Sequence, residues 1–157
     1  MLVAVITLSV ILVDIFTKYL VVQLLRPLGR SVTAIPYLFD FTYVENRGIA
    51  FGLLADNRWF FMMVSAILIV VIVFMIKMSK INHKLFLVSM SMILGGGIAN
   101  MLDRIFIGYV VDFIDVAFVD FAVFNVADSC VVVGSCLLAV YIIFFDRSLF
   151  KKNSKGE

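Results

Sequence analysis

Four stretches of about 20 apolar residues, almost uninterrupted by charge, constrain this chain more than any other feature. They run over about 2–25, 59–76, 85–107 and 126–145. A bilayer's hydrocarbon is roughly 30 Å thick and a helix rises about 1.5 Å per residue, so about 20 apolar residues cross it. Composition agrees: 64% of the residues are apolar and 15% are charged, against roughly 45–50% and about 25% in soluble domains. Too little polar surface exists to coat a soluble core. The expectation is an all-α membrane protein, a single integral-membrane domain over 1–157 with four transmembrane helices. Its connections are loops 26–58 and 108–125, a link 77–84 and a tail 146–157. The first stretch lacks a basic leader and a small-residue cleavage site and stays apolar beyond Lys18, so it reads as an uncleaved span.

Orientation follows the Lys and Arg of the short connections. Lys77, Lys80 and Lys84 occupy the link, and Arg147, Lys151, Lys152 and Lys155 the tail, so both are expected in the cytoplasm. Loop 108–125 has no Lys or Arg but carries Asp112, Asp115 and Asp120, and should face outward. With four spans, loop 26–58 is then outside too and both termini are cytoplasmic. A structureless loop of that length is uncommon unless functional. Within it Phe39, Phe41 and Tyr43 alternate with Asp40 and Thr42, and Asn46, Arg47 and Gly48 supply turn chemistry before Ile49, Ala50 and Phe51. That pattern predicts a small extracytoplasmic β-sheet or hairpin over 36–51.

Ionisable groups at membrane depth are expensive and are functional candidates by default. Asp14 and Lys18 lie one helical turn apart, at ion-pair spacing. Asn100 shares a face with Asp103 and Arg104 at the outward end of the third span, downstream of Gly95, Gly96 and Gly97. A triple glycine weakens a helix unless a neighbour or ligand approaches closely. Asp112 follows that span, and Asp128 falls in the first turn of the fourth. Asn125 and Asp128 also read as an N-cap and its partner three residues on. Capping alone leaves unexplained why Asp14, Lys18, Asn100, Asp103, Arg104 and Asp128 all fall in one outer layer.

Several chemistries are excluded or narrowed. A formal charge of +2 with no basic block argues against nucleic acid. Cys130 and Cys136 lie about 240° apart around a helix, so neither a disulfide nor a metal pair is expected. His83 is the lone histidine, which leaves too few ligands for a zinc site of His and Cys. No cofactor motif is present. Two catalytic schemes remain: Ser129 with a neutral Lys18 as base, which Asp14 opposes, or an aspartate pair, Asp112 and Asp128, sharing one proton. A proton or cation route lined by carboxylates is the rival to catalysis.

The runs Asp14-Ile-Phe-Thr17-Lys18, Asn46-Arg47-Gly48-Ile-Ala50-Phe51-Gly52, Gly97-Ile-Ala-Asn100-Met-Leu-Asp103-Arg104, Val111-Asp112-Phe113-Ile114-Asp115 and Phe124-Asn125-Val-Ala127-Asp128-Ser129 resemble, in order and spacing, the bacterial lipoprotein signal peptidases (signal peptidase II). The resemblance implies an aspartyl intramembrane endopeptidase with an outer sheet and a short surface helix. It implies as substrates prolipoproteins whose lipobox cysteine already carries diacylglyceryl, cut just before that cysteine. By the same resemblance Asp112 and Asp128 are the catalytic pair. Asp14, Lys18, Asn46, Asn100, Asp103, Arg104, Asn125 and Ala127 support it or bind around it, with Asn46 or Arg47 reaching down from the sheet. Membrane lipids are the other expected partners, and the chain is expected to act as a monomer without cofactor.

Overall fold

The computed structural model describes residues 1–48, 58–79 and 81–145. Its helices are α1 (Leu2–Leu24), α2 (Arg58–Met78), α3 (Lys84–Phe106) and α4 (Val126–Phe144), each long and apolar enough to cross a membrane. About half of α3 is buried inside the protein against 6% of α2, which makes α3 the hub and α2 the outlier. α1 and α4 both pack on α3 and touch each other, whereas α2 leans chiefly on α3.

Apolar side chains gain little from leaving lipid for a neighbouring helix, so close backbone approach has to hold such a bundle. The triple glycine supplies it in three directions. A Cβ on Gly95 would lie 2.8 Å from Val10 Cβ of α1. One on Gly96 would strike the Ala127 carbonyl oxygen and lie 2.8 Å from Val131 Cγ2 of α4. Gly97 faces α2 loosely, 3.9 Å from Ile69. Gly134 repeats the device from the other side, where a Cβ would lie 2.9 Å from the Ser89 carbonyl oxygen of α3.

Outside the four helices lies a three-stranded antiparallel sheet ordered β1 (Val32–Ile35), β2 (Phe39–Asn46) and β3 (Val110–Val116). Of the sheet or hairpin expected there, a small sheet is present, with a third strand from outside 26–58. The turn falls at Pro36–Leu38, with the Leu38 N–H donating to the Ile35 carbonyl at 3.0 Å and Tyr37 at φ 66. Proline's fixed φ starts that turn one step earlier than the Asn46–Gly48 signal implied. The second neighbour of β2 is β3, in the connection between α3 and α4, with Asn46 opposite Val110 and Val44 opposite Asp112. Asp112 therefore stands on a strand rather than in a loop. Its run Val-Val-Asp-Phe-Ile-Asp-Val is rich in β-branched residues, which suits a pleated surface. Ile49, Ala50, Phe51, Lys80 and the basic tail lie outside the described residues. Among the described residues the expected surface helix has no counterpart longer than a 3-10 turn at Arg26–Leu28.

Two apolar clusters frame the site. Ile72, Phe86, Met90, Ile93, Leu94 and Tyr141 fill the half of the bundle remote from the sheet. Val21, Val111 and Phe113 seal the top of α1 against β3.

Candidate active site

Between these clusters the polar residues form one connected web. Lys18, 4% exposed, donates to Asn100 Oδ1 at 2.8 Å and forms ion pairs with Asp14 Oδ2 at 2.7 Å and Asp103 Oδ2 at 2.8 Å. An ammonium has three N–H groups and no acceptor, so all of Lys18 is used. Asp14 and Asp103 both lie within ion-pair distance of its ammonium, and Ser129 Oγ donates to the Asn125 carbonyl at 2.9 Å within its own helix. The Ser/Lys scheme is therefore not assembled.

Asp14, fully buried on α1, accepts from the Ala127 N–H at 2.8 Å through its other oxygen. That N–H is one of four that the start of any helix leaves without an intrahelical partner. The next one, on Asp128, donates to Asn125 Oδ1 at 2.9 Å, while Asp128 Oδ2 accepts from the Asn125 N–H at 3.3 Å. Asn125 and Asp128 thus form a capping box. Capping and membership of the polar layer are one arrangement, not alternatives.

Three asparagines set the two candidate carboxylates. In each, an obligate donor engages the amide oxygen: the Gly48 N–H for Asn46 at 3.1 Å, Lys18 for Asn100, and the Asp128 N–H for Asn125. The NH₂ group must then turn to an acceptor. Asn46 Nδ2 donates to Asp112 Oδ2 at 2.7 Å, Asn125 Nδ2 to Asp112 Oδ1 at 2.6 Å, and Asn100 Nδ2 to Asp128 Oδ1 at 2.7 Å. Asn125 also reaches Asn100 Oδ1 at 3.1 Å, which closes the circuit from strand to helix.

Asp112 is 1% exposed. Burial, opposed by the Asn46 hydrogen bond and reinforced by the charge of Asp128, pushes its carboxyl up to about 6. Both aspartates line one cavity of about 520 Å³, together with Asn46, Phe121, Phe124 and Val132. Its far wall, 121–124, folds back on β3 through paired backbone bonds between Ile114 and Phe124. Of this wall only Phe124 falls in a run quoted from the sequence; Phe121, Ala122 and Val123 carry no local signal beyond being apolar.

The remaining residues sit close by in different ways. Asp103 also accepts the Val111 N–H at 3.4 Å and so anchors the start of β3. Arg104 donates to the Asn100 carbonyl at 3.3 Å and lies over the Phe61 ring at 5.3 Å. Ala127 is wholly buried against Gly96. Arg47 pairs with Glu45 at 2.9 Å and covers the Tyr109 ring at 5.5 Å. Cys130 and Cys136 are free thiols. Among the described residues no three of His, Cys, Asp and Glu group as a metal would require.

Four helices long and apolar enough to cross a membrane, carrying a buried web of charge that opens on a cavity at one end, define a multi-pass membrane protein. The family model described as "Signal peptidase (SPase) II" matches residues 6–144. The lipoprotein signal peptidase of Caldanaerobacter subterraneus subsp. tengcongensis is 46% identical over 136 residues, covering 86% of this chain and 91% of that protein. That of Symbiobacterium thermophilum is 38% identical, covering 94% and 97%. A bacterial membrane enzyme solved by the in meso method superposes with a TM-score of 0.81 at 28% identity, covering 99% of this chain and 94% of its own. The chain belongs to the signal peptidase II family, the proteases that remove signal peptides from prolipoproteins.

Proposed function

We propose that this protein is an aspartic endopeptidase in which Asp112 and Asp128 share one proton and cut prolipoproteins just before a diacylglyceryl-modified cysteine. The observation that carries the reading is that two carboxylates from different elements, each oriented by asparagine donors, line the same cavity.

In the resting pair one carboxyl is ionised and the other protonated, because two adjacent buried charges repel. The ionised member takes a proton from water as the oxygen attacks the scissile carbonyl carbon. The protonated member hydrogen-bonds to the carbonyl oxygen as negative charge develops there. Collapse of the tetrahedral adduct breaks the C–N bond, and a proton passes from the pair to the leaving nitrogen. The products are the signal peptide's carboxylate and the lipidated cysteine's new amino terminus as its ammonium, which takes the carboxylic acid's proton, with the pair again singly protonated. Asp14, Lys18, Asn100, Asp103, Asn125 and Ala127 act here by position: they hold α1, α3, β3 and α4 in register about the pair. Asn46 holds Asp112 from the sheet, and Arg104 adds positive charge nearby.

The orientation that fits places the sheet and the cavity outside, with the Lys77 and Lys84 end in the cytoplasm. A signal peptide is itself an apolar helix whose cleavage point lies near the outer face, at the level of the cavity. The substrate's lipid would add apolar contact, worth roughly 0.8 kcal/mol per buried CH₂. A single polypeptide holds the whole web, which favours action as a monomer.

The test is cleavage by purified protein of a diacylglyceryl-modified precursor and of its unmodified twin. Cleavage of the modified precursor alone, at the bond before the cysteine, is expected. Equal cleavage of both would remove the lipid requirement. Cleavage that survives Asp112→Asn or Asp128→Asn would remove the aspartic mechanism.

A further inference from the structure

A second pair of cavities lies on the opposite side of the sheet junction, and its lining shares no residue with the cavity of the aspartates. The first, about 250 Å³, is apolar and runs between the upper part of α1 and the sheet, walled by Thr17, Leu20, Leu24, Phe41 and Phe113. The second, about 240 Å³, is polar and lies above it, walled by Arg26, Gly29, Arg30, Ser31, Thr42 and Tyr43. Leu25 lines both. From Thr17 to Leu25 the helix rises about 12 Å, most of one leaflet's roughly 15 Å of hydrocarbon.

The polar cavity carries net positive charge, since one carboxylate, Glu45, is shared by Arg26 and Arg47. Its nearest carboxylate is Glu45, which Arg47 holds at 2.9 Å and the Tyr43 hydroxyl at 3.0 Å, leaving Arg26 at 3.7 Å. Arg26 lies across the Tyr43 ring at 5.5 Å, which fixes the plane of its guanidinium beside the opening. Arg30 pairs with no carboxylate among the described residues, and Gly29, at φ 61, turns the backbone that presents it. Ser31 and Thr42 add hydroxyl donors at the rim. A planar, permanently charged fork suits a phosphate oxygen pair.

We propose that these two cavities form one binding site for an anionic glycerophospholipid, with its phosphate between Arg26 and Arg30 and an acyl chain along Leu20 and Leu24 beneath Phe41 and Phe113. The head needs the charge and the chain needs the apolar slot, so neither a neutral diacylglycerol nor a free phosphate satisfies both. The lipid is a wedge between α1 and the sheet, separate from the substrate cavity. The inference stands apart from the proteolytic mechanism and can fail without it.

The experiment uses the full-length protein in neutral detergent and counts retained lipids by native mass spectrometry. The probes are phosphatidylglycerol, phosphatidylcholine, diacylglycerol and glycerol 3-phosphate. One phosphatidylglycerol is expected to be retained, phosphatidylcholine at least tenfold more weakly, and the other two not at all. Arg26→Gln with Arg30→Gln should weaken phosphatidylglycerol at least tenfold, and Leu24→Trp, which fills the slot without touching charge, should do the same. If the double variant folds poorly, the exposed Arg30→Gln alone should weaken it about fivefold, the effect of one arginine at an anionic surface. Equal retention of phosphatidylglycerol and phosphatidylcholine, diacylglycerol held as tightly as phosphatidylglycerol, or unchanged affinity in the variants would each overturn the proposal.

Discussion

At the sheet-bearing end of the bundle, Asp14, Lys18, Asn100, Asp103, Asn125 and Asp128 meet through bonds of 2.7–3.3 Å, each with a defined donor and acceptor. At the other end Ile72, Phe86, Met90, Ile93, Leu94 and Tyr141 meet only through contact of apolar surfaces, with His83 and Phe145 extending an aromatic cluster around Tyr141. Directional bonds specify where an atom sits; dispersion contacts specify only that a volume is filled. One end can therefore hold two carboxylates at a working geometry, and the other can keep the helices together while tolerating exchange of similar side chains.

The largest effect expected from breaking this contrast is at the aspartate pair. Asp112→Asn and Asp128→Asn should each fold and each lower cleavage of modified precursor by about a thousandfold or more. The double variant should be scarcely worse, because the two act as one unit. Additive losses measured in purified protein would separate their roles. Next comes Asp14→Asn, which leaves buried Lys18 with one countercharge fewer. Breaking a buried pair costs roughly 3–5 kcal/mol, so folded yield and thermal stability in detergent should drop together with activity. A fully stable yet inert Asp14→Asn variant would move Asp14 from support to direct contact with substrate.

Smaller, and specific to the polar end, is a pH effect. Asp112 releases its proton at about 6 rather than at the ordinary 3.8. If its ionised form accepts the proton of water, cleavage should fall about tenfold per pH unit below about 6, and an alkaline limb should appear where the second carboxyl of the pair ionises. The stability sign is opposite. The folded state holds this proton more tightly than the unfolded chain, so this carboxyl's contribution to stability is present below about 4 and is lost as pH rises through about 6. A flat rate profile between pH 5 and 7 would count against Asp112 as the base. The least effect is expected at the apolar end: Met90→Leu conserves volume and should cost under about 1.5 kcal/mol with activity unchanged. A large activity loss there would mean that the two ends are coupled.

Much of this was legible beforehand because membrane crossing demands long apolar runs and penalises stray charge. The four helices followed from length, and Asp14 with Lys18 from one-turn spacing. The sheet was legible only in part. β2 announced itself by alternation, but β3, with Val110, Val111, Asp112 and Phe113 all buried, has no polar-out face to alternate with. Its partner comes from a loop about 70 residues away, and strand pairing at that distance leaves no local mark. The asparagine orientations were invisible for the same reason: each depends on a donor from another element.

The Asn125 side chain caps α4 and holds Asp112 at once, and that double duty bears on motion. Helix ends ordinarily fray, their last turn opening far more often than the domain unfolds. Here the first turn of α4 cannot open without releasing Asp112 and Asp128 together. Amide hydrogens of Ala127 and Asp128 should accordingly exchange with solvent as slowly as those deep in α3, and any slackening of that turn would switch the catalyst off before the protein itself came apart.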